Sequence, residues 1–386
     1  MVFIPYSCQN ITEDDIAAVS AVLRSEFLTQ GPAVVAFEQA FAQRHQVAHA
    51  VSVSNATSGL HIACLALGVG PGTRVWTSPN SFLASANCAL YCGAEIDFVD
   101  IDPVTRNMSV IELAQRLERA KSEGNLPQVV IPVDFAGMPC DLREMRRLAD
   151  QYGFKIIEDA SHATGATYED RPVGCQYAHV SIFSFHAVKI VTTAEGGLVA
   201  TQDDRIARQL RLLRSHGMTR DPAEMEKSSE EAWYYEQLAL GFNYRMTDIQ
   251  AALGSSQLRR LDGMHARREA LADRYDTLLN DLPLLLPRCL PNRRSAWHLY
   301  AIEIDETRTP ISRNTVFTAL RNAGIGANLH YIPIHTQPYY TRLGFKRGDF
   351  PVAESYAARA ISIPLYPAMT DDQQVYVVDT LKKALA

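Results

Sequence analysis

The sequence contains no apolar run of the roughly 18 residues that a helix needs to cross a bilayer, so it offers no membrane span. It has no basic excess either. Its 37 Lys+Arg against 43 Asp+Glu leave a net charge of −6, without the positive footprint of a nucleic-acid or anionic-membrane binder. The seven cysteines (Cys8, Cys64, Cys88, Cys92, Cys140, Cys175 and Cys289) include no Cys-x-x-Cys pair, which removes the main support for a zinc ribbon or a thioredoxin-like centre. Cys88 and Cys92 fall one helical turn apart without further ligand types and read as small buried thiols, so no metal is expected. Neither a Gly-x-x-x-x-Gly-Lys-Ser/Thr loop nor a Gly-x-Gly-x-x-Gly fingerprint occurs, and nucleoside triphosphates and nicotinamide lose their usual sequence support. The first ten residues lack the basic and apolar regions of a secretory signal. What is present is a chain of 386 residues, 47% hydrophobic and 21% charged, long enough for more than one domain. A cytoplasmic globular enzyme is the expectation.

Helices alternate with short apolar strands over the first two-thirds. Thr12 to Asp15 resembles a capping box, followed by Ile16, Val19 and Leu23 at helical spacing. Strands are expected near Ala50–Val53, Val75–Thr77, Glu95–Val99, Val129–Val133, Lys155–Ile157 and Val180–Lys189, with helices between them. Nearly all-apolar strands separated by helices predict an α/β architecture whose mostly parallel central sheet is covered on both faces. Asp221–Glu236 carries six acidic residues and one lysine with no apolar period, and reads as an exposed loop. From Thr247 a helical pattern runs to about Leu279. The expected organisation is a large domain over 1–250, a connecting helix over 251–280 and a smaller α+β domain over 281–386.

Four local features point to chemistry. In Ile156-Ile-Glu-Asp-Ala-Ser-His162, Asp159 ends an apolar strand, the end at which open α/β sheets bind their ligands. A carboxylate buried there needs a cationic partner, because an unpaired buried charge costs several kcal/mol or titrates away. Val180-Ser-Ile-Phe-Ser-Phe-His186-Ala-Val-Lys189 reads as a strand ending in a single lysine, followed by Glu195-Gly-Gly197, whose glycines let the backbone pass close to a ligand. A lysine at an apolar strand end has a lowered amine pKa, the state in which it condenses with an aldehyde. One cofactor uses both such a lysine and a carboxylate against a pyridinium nitrogen: pyridoxal 5′-phosphate. Ser54-Asn-Ala-Thr-Ser58 joins a strand to a helix, a turn that directs backbone N–H groups and hydroxyls at an anion but that also occurs as a plain helix cap. Phe82, just past another strand end, is either a flat surface for a cofactor or core.

These phrases, with Asn55-Ala-Thr57-Ser, Glu158-Asp-Ala-Ser-His162, Phe183-Ser-Phe-His-Ala-Val-Lys189, Glu195-Gly-Gly197 and Gly241-Phe-Asn-Tyr-Arg245, resemble the nucleotide-sugar aminotransferases of the DegT/DnrJ/EryC1/StrS family. The similarity runs nearly end to end. Tyr6-Ser-x-Gln-Asn-Ile11, Val133-Asp-Phe-Ala-Gly137 and Leu213-Arg-Ser-His-Gly217 look most like the branch that aminates C4 in pseudaminic acid biosynthesis, although Ala187 stands where that branch often has proline. The aminoarabinose-type enzymes also carry alanine there.

The resemblance implies a pyridoxal-phosphate-dependent transferase of fold type I, aspartate aminotransferase-like, working as a homodimer with composite active sites. It implies that Lys189 bonds the cofactor and shuttles a proton, that Asp159 keeps the pyridine nitrogen protonated, and that His162 approaches the phenolic oxygen. Phe82 stacks on the ring, while Ala56, Thr57 and Ser184 hold the phosphate, joined by Asn243 across the interface. Thr29, Gly31, Arg245, His330 and Tyr331 are the candidate sugar contacts, each with a structural alternative: Thr29-Gln-Gly31 could be only a turn and Tyr331 only core. The implied reaction moves nitrogen from an amino acid, L-glutamate by expectation, to C4 of a UDP-linked 4-keto-6-deoxy-N-acetylhexosamine. A C3 or aminoarabinose-type substrate is the alternative. A sugar dehydratase of the same family carries histidine at the lysine position, and a non-catalytic regulatory member has no need of Lys189 and Asp159.

Overall fold

The computed structural model describes residues 3–227 and 231–386. Seven strands form one sheet in the order His49–Val53, Gly197–Thr201, Val180–Ser184, Lys155–Asp159, Val129–Ile131, Arg74–Thr77, Glu95–Phe98. Gly197–Thr201 pairs antiparallel with both of its neighbours; every other pairing in this sheet is parallel. The strands are buried on both faces, as their unbroken apolar runs require. Strand alternation sends Val129, Ile131 and Ile157 to one side, against Leu60 and Ile62 of the helix Ala56–Ala66 and Ala86 of the helix Ala84–Tyr91. It sends Val130 and Ile156 to the other, against Leu113 and Leu117 of Val110–Glu123 and Leu142, Met145 and Leu148 of Leu142–Tyr152. Each such side chain contributes about 1.5–3 kcal/mol by leaving water. The parallel strands therefore present their carboxyl ends along one edge, together with the start of the reversed strand at Gly197.

A second, antiparallel sheet is built from Leu284–Leu285, Tyr300–Ile304 and Ala360–Ile363. It shares a separate core with the helices Arg313–Asn322 and Asp371–Leu385 and with Leu271 and Tyr275. The helical pattern from Thr247 to Leu279 is divided into Asp248–Arg259 and Leu261–Leu279. Arg260 stands at the break, its guanidinium donating to Asn10 O at 2.9 Å and Asp15 Oδ2 at 2.5 Å. That long-range pairing turns the chain at a point where spacing alone gives no signal. The acidic stretch is closed by a short pairing of Met218–Thr219 with Glu236–Gln237, and residues 228–230 within it lie outside the described residues.

Candidate active site

The carboxyl-end edge of the large sheet meets the second sheet around a cavity of about 930 Å³. Ala56, Thr57, Phe82, Asp159, His162, Ser184, Lys189, His330 and Tyr331 all line it. Asp159 ends its strand, and alternation turns it toward the cavity while Glu158 goes to the other face, where the Ser181 hydroxyl donates to it. The Asp159 carboxylate accepts from Ser85 Oγ at 2.6 Å and from Ser161 N–H at 3.2 Å. Neither donor is charged. Lys189 follows the strand Val180–Ser184. Burial pushes its amine down to about 8, with the attraction of Asp159 acting in the opposite sense.

The turn after His49–Val53 begins the helix Ala56–Ala66. Asn55 caps it: its side-chain oxygen accepts from Ser58 N–H at 2.8 Å, and Ser58 Oγ accepts from Asn55 N–H at 3.2 Å. The N–H groups of Ala56 and Thr57 are first-turn donors that a helix cannot pair internally, and they line the cavity. A Cβ on Gly197 would come within 2.5 Å of Ala56 N, so only glycine lets the reversed strand pass beneath this cradle.

The facing wall is built from imidazoles. His162 Nδ1 accepts from Ala136 N–H at 3.3 Å, which leaves the ring proton on Nε2, 3.1 Å from Tyr331 Oη. Tyr331 O–H is then free to donate elsewhere. Burial, and next the charge of Lys189, hold His162 well below the usual histidine range; the same two causes push His330 down to about 3. His330 Nδ1 lies 2.8 Å from Ser362 Oγ.

Asn243, Arg245, Thr29 and Gly31 do not line this cavity. Asn243 is exposed and forms a backbone bridge with Ser215, and Thr29 bridges to Thr247. Gly31 precedes the helix Pro32–His45, where its N–H donates to the buried Asp248 carboxylate at 2.7 Å. A Cβ there would meet Phe27 Cβ at 2.4 Å, so packing alone accounts for the glycine. Sequence reasoning missed Tyr6, His61, Ser85, His298 and Asn328, all of which line the cavity. Ser81, just before the helix Ala84–Tyr91, and Ser85, in its first turn, have their Oγ atoms 2.7 Å apart, but nothing in the sequence connects them to Asp159. No group of His, Cys, Asp and Glu among the described residues forms a metal site, and no helix among them is long and apolar enough to cross a membrane.

A buried lysine with a lowered amine pKa, a carboxylate that among the described residues accepts hydrogen bonds from Ser85 and Ser161, and the free first-turn N–H groups of a helix share one cavity, and this donor set fits pyridoxal 5′-phosphate. Fold and site together define a pyridoxal-phosphate-dependent enzyme of fold type I. The profile of the DegT/DnrJ/EryC1/StrS aminotransferase family matches residues 9–382, and the chain belongs to that family. It is 40% identical over 384 residues to the spore coat polysaccharide biosynthesis protein SpsC of Bacillus subtilis, covering 98% of this chain and 96% of that one. Among solved structures it is similar to PseC of Helicobacter pylori, an aminotransferase involved in the biosynthesis of pseudoaminic acid. That likeness has a TM-score of 0.90 and 30% identity and covers 99% of each chain. It is also similar to the PLP-form of Spr1654 of Streptococcus pneumoniae, with a TM-score of 0.88 and 29% identity over 99% of this chain and 98% of that one. This protein is a sugar aminotransferase.

Proposed function

We propose that the enzyme transfers an amino group from L-glutamate to C4 of a UDP-linked 4-keto-6-deoxy-N-acetylhexosamine, in bacterial surface-sugar biosynthesis of the pseudaminic acid type. The observation that carries amino transfer is Lys189, its amine lowered by burial, in one cavity with Asp159. The likeness to PseC, end to end, supports the sugar.

Pyridoxal phosphate, when bound, supplies an electron sink through which nitrogen passes between an amino acid and a keto sugar. Asp159, oriented by Ser85 and Ser161, holds the proton on the pyridine nitrogen. The N–H groups of Ala56 and Thr57 and the hydroxyl of Ser184 hold the phosphate. Phe82 lies against the ring and His162 serves the phenolic oxygen. Lys189 removes the proton from the amine-bearing carbon and returns it on the other side of the transfer. His330 and Tyr331 face the sugar.

The remaining residues act in a homodimer. Lys189 is the only lysine or arginine among the described residues lining the cavity, yet a nucleotide sugar brings two phosphates. Phe82 and Tyr91, at 60% and 56% exposed, leave an apolar rim at the cavity of the single chain. Asn243 reaches the partner's cofactor phosphate, and Arg245, Thr29 and Gly31 are offered to the partner's sugar.

Cofactor-loaded enzyme should be yellow, and L-glutamate should bleach its visible band. The UDP-4-keto sugar should then restore the band. A band indifferent to L-glutamate removes that donor, and restoration by 3-keto sugars alone removes the C4 assignment.

A further inference from the structure

His298 lines the cavity but belongs to none of the roles above. It precedes the strand Tyr300–Ile304 and is only 3% exposed. The turn Phe135–Gly137 fixes it beside His162. Ala136 N–H donates to His162 Nδ1 at 3.3 Å, and Ala136 O accepts from His298 N–H at 2.9 Å, so one short segment holds both histidines. Ala136 is in the left-handed region at φ 58°, and Gly137 at φ 98° has no room for a Cβ, with His162 O and Trp297 N each 3.0 Å away. From behind, Arg268 Nη1 donates to the carbonyls of Trp297, His298 and Leu365 at 3.1, 3.4 and 2.9 Å. The two imidazole centroids stand 4.5 Å apart.

The three inner histidines differ in what their nitrogens do. His162 uses both and His330 uses Nδ1, whereas no hydrogen bond in the described residues engages either ring nitrogen of His298. His298 Nδ1 is sealed in the interior without a partner. An orphaned buried acceptor is tolerated better than an orphaned N–H, so the proton belongs on Nε2. Since Nε2 has no protein partner and is not among the sealed atoms, it opens on the cavity that the ring lines. A rigidly held N–H therefore faces the space beside Lys189.

That space must receive an anion. Resting on an amino acid as donor, the reaction brings an α-carboxylate bonded to the very carbon whose proton Lys189 moves. Its receptor must stand next to Lys189, and the described residues of this chain that line the cavity include no guanidinium. We infer that the Nε2–H of His298 receives the α-carboxylate of the amino-acid donor and orients the donor's Cα–H toward Lys189. His298 is thus a substrate-binding residue of the first half-reaction and idle in the second.

Two variants of similar polarity separate the ring nitrogens: the amide nitrogen of His298→Gln reaches the position of Nε2, and that of His298→Asn only the position of Nδ1. Cofactor-loaded enzyme is titrated with L-glutamate in single-turnover experiments and, after conversion, with the keto sugar. His298→Asn should raise the half-saturating L-glutamate concentration about tenfold or more, the scale of a lost hydrogen bond to a charged group. His298→Gln should recover most of that loss, and the half-saturating keto-sugar concentration should stay within about twofold in both variants. Equal behaviour of the two variants, an unchanged L-glutamate response, or a shift on the keto-sugar side alone would overturn the inference. If the wild-type enzyme does not respond to L-glutamate, the proposed donor fails instead, and the same variants are compared with the amino acid that does convert it.

Discussion

The charged strand-end groups of the cavity and its cluster of imidazoles present opposite chemistries. On the strand-end wall, Lys189 and Asp159 carry formal charge and the helix Ala56–Ala66 points its positive end inward. Opposite them, the imidazoles of His162, which follows the same strand as Asp159, and of His298 and His330, which flank the second sheet, are pushed down chiefly by burial and next by the charge of Lys189. One wall can exchange protons near neutral pH. Burial lowers the imidazoles of the other, which suits them to orienting a ligand. In the proposed mechanism, reaction would belong to the charged groups and positioning to the histidines, and that division can be tested from either side.

Removing the reactive group should have the largest effect. Lys189→Ala should lower turnover by at least about a thousandfold, because no neutral histidine opposite can take its place as base. Residual turnover within tenfold of wild type would mean that the histidine wall does exchange protons. Next comes Asp159→Asn, which keeps the side chain's shape while withdrawing its charge. It should cost about a hundredfold or more in turnover, the scale of losing a preorganised charge. Far-ultraviolet circular dichroism should be unchanged, since among the described residues the carboxylate's hydrogen bonds come from Ser85 Oγ and Ser161 N–H alone and the asparagine keeps an oxygen that can accept. A loss of fold in step with activity would make Asp159 a structural residue.

The same two walls show what was legible in the sequence. The strand-end residues sit within a few positions of an apolar strand, so local pattern singled out Asp159, Lys189 and the turn holding Ala56 and Thr57, while Ser184 came only from the family resemblance. The α/β alternation was readable for the same reason: strands buried on both faces are continuous apolar runs. The positioning wall reaches the cavity by long-range contacts instead. Asn328 is placed by its bridge to Ser362, Tyr331 by an N–H bond to Asn80 across 251 residues, and His298 by the turn at Ala136. No spacing near His298 distinguishes it from a core histidine. The division of the 247–279 helix was hidden likewise, since Arg260 leaves the pattern to meet Asp15, 245 residues away.

The smallest effect tests the contrast on the cofactor-free enzyme. The Lys189 amine is pushed down to about 8 from the ordinary lysine value of 10.5. Only the unprotonated amine attacks an aldehyde, so its reactive fraction rises with pH and levels off once the pH is well above 8. From pH 7 to pH 9 that fraction grows about tenfold for a group titrating at 8, whereas an unshifted lysine would gain about a hundredfold and still be climbing. His162 and His330 lie too low to titrate in this interval, and burial raises Tyr331 above it, so the opposite wall adds no second inflection. The measurement is the rate at which pyridoxal phosphate reconstitutes the enzyme, followed by the appearance of its protein-bound absorption. One rise centred near pH 8 supports a charged wall facing a silent one. A second inflection between pH 6 and 7, lost in a variant lacking His162 or His330, would show that the imidazoles carry charge after all.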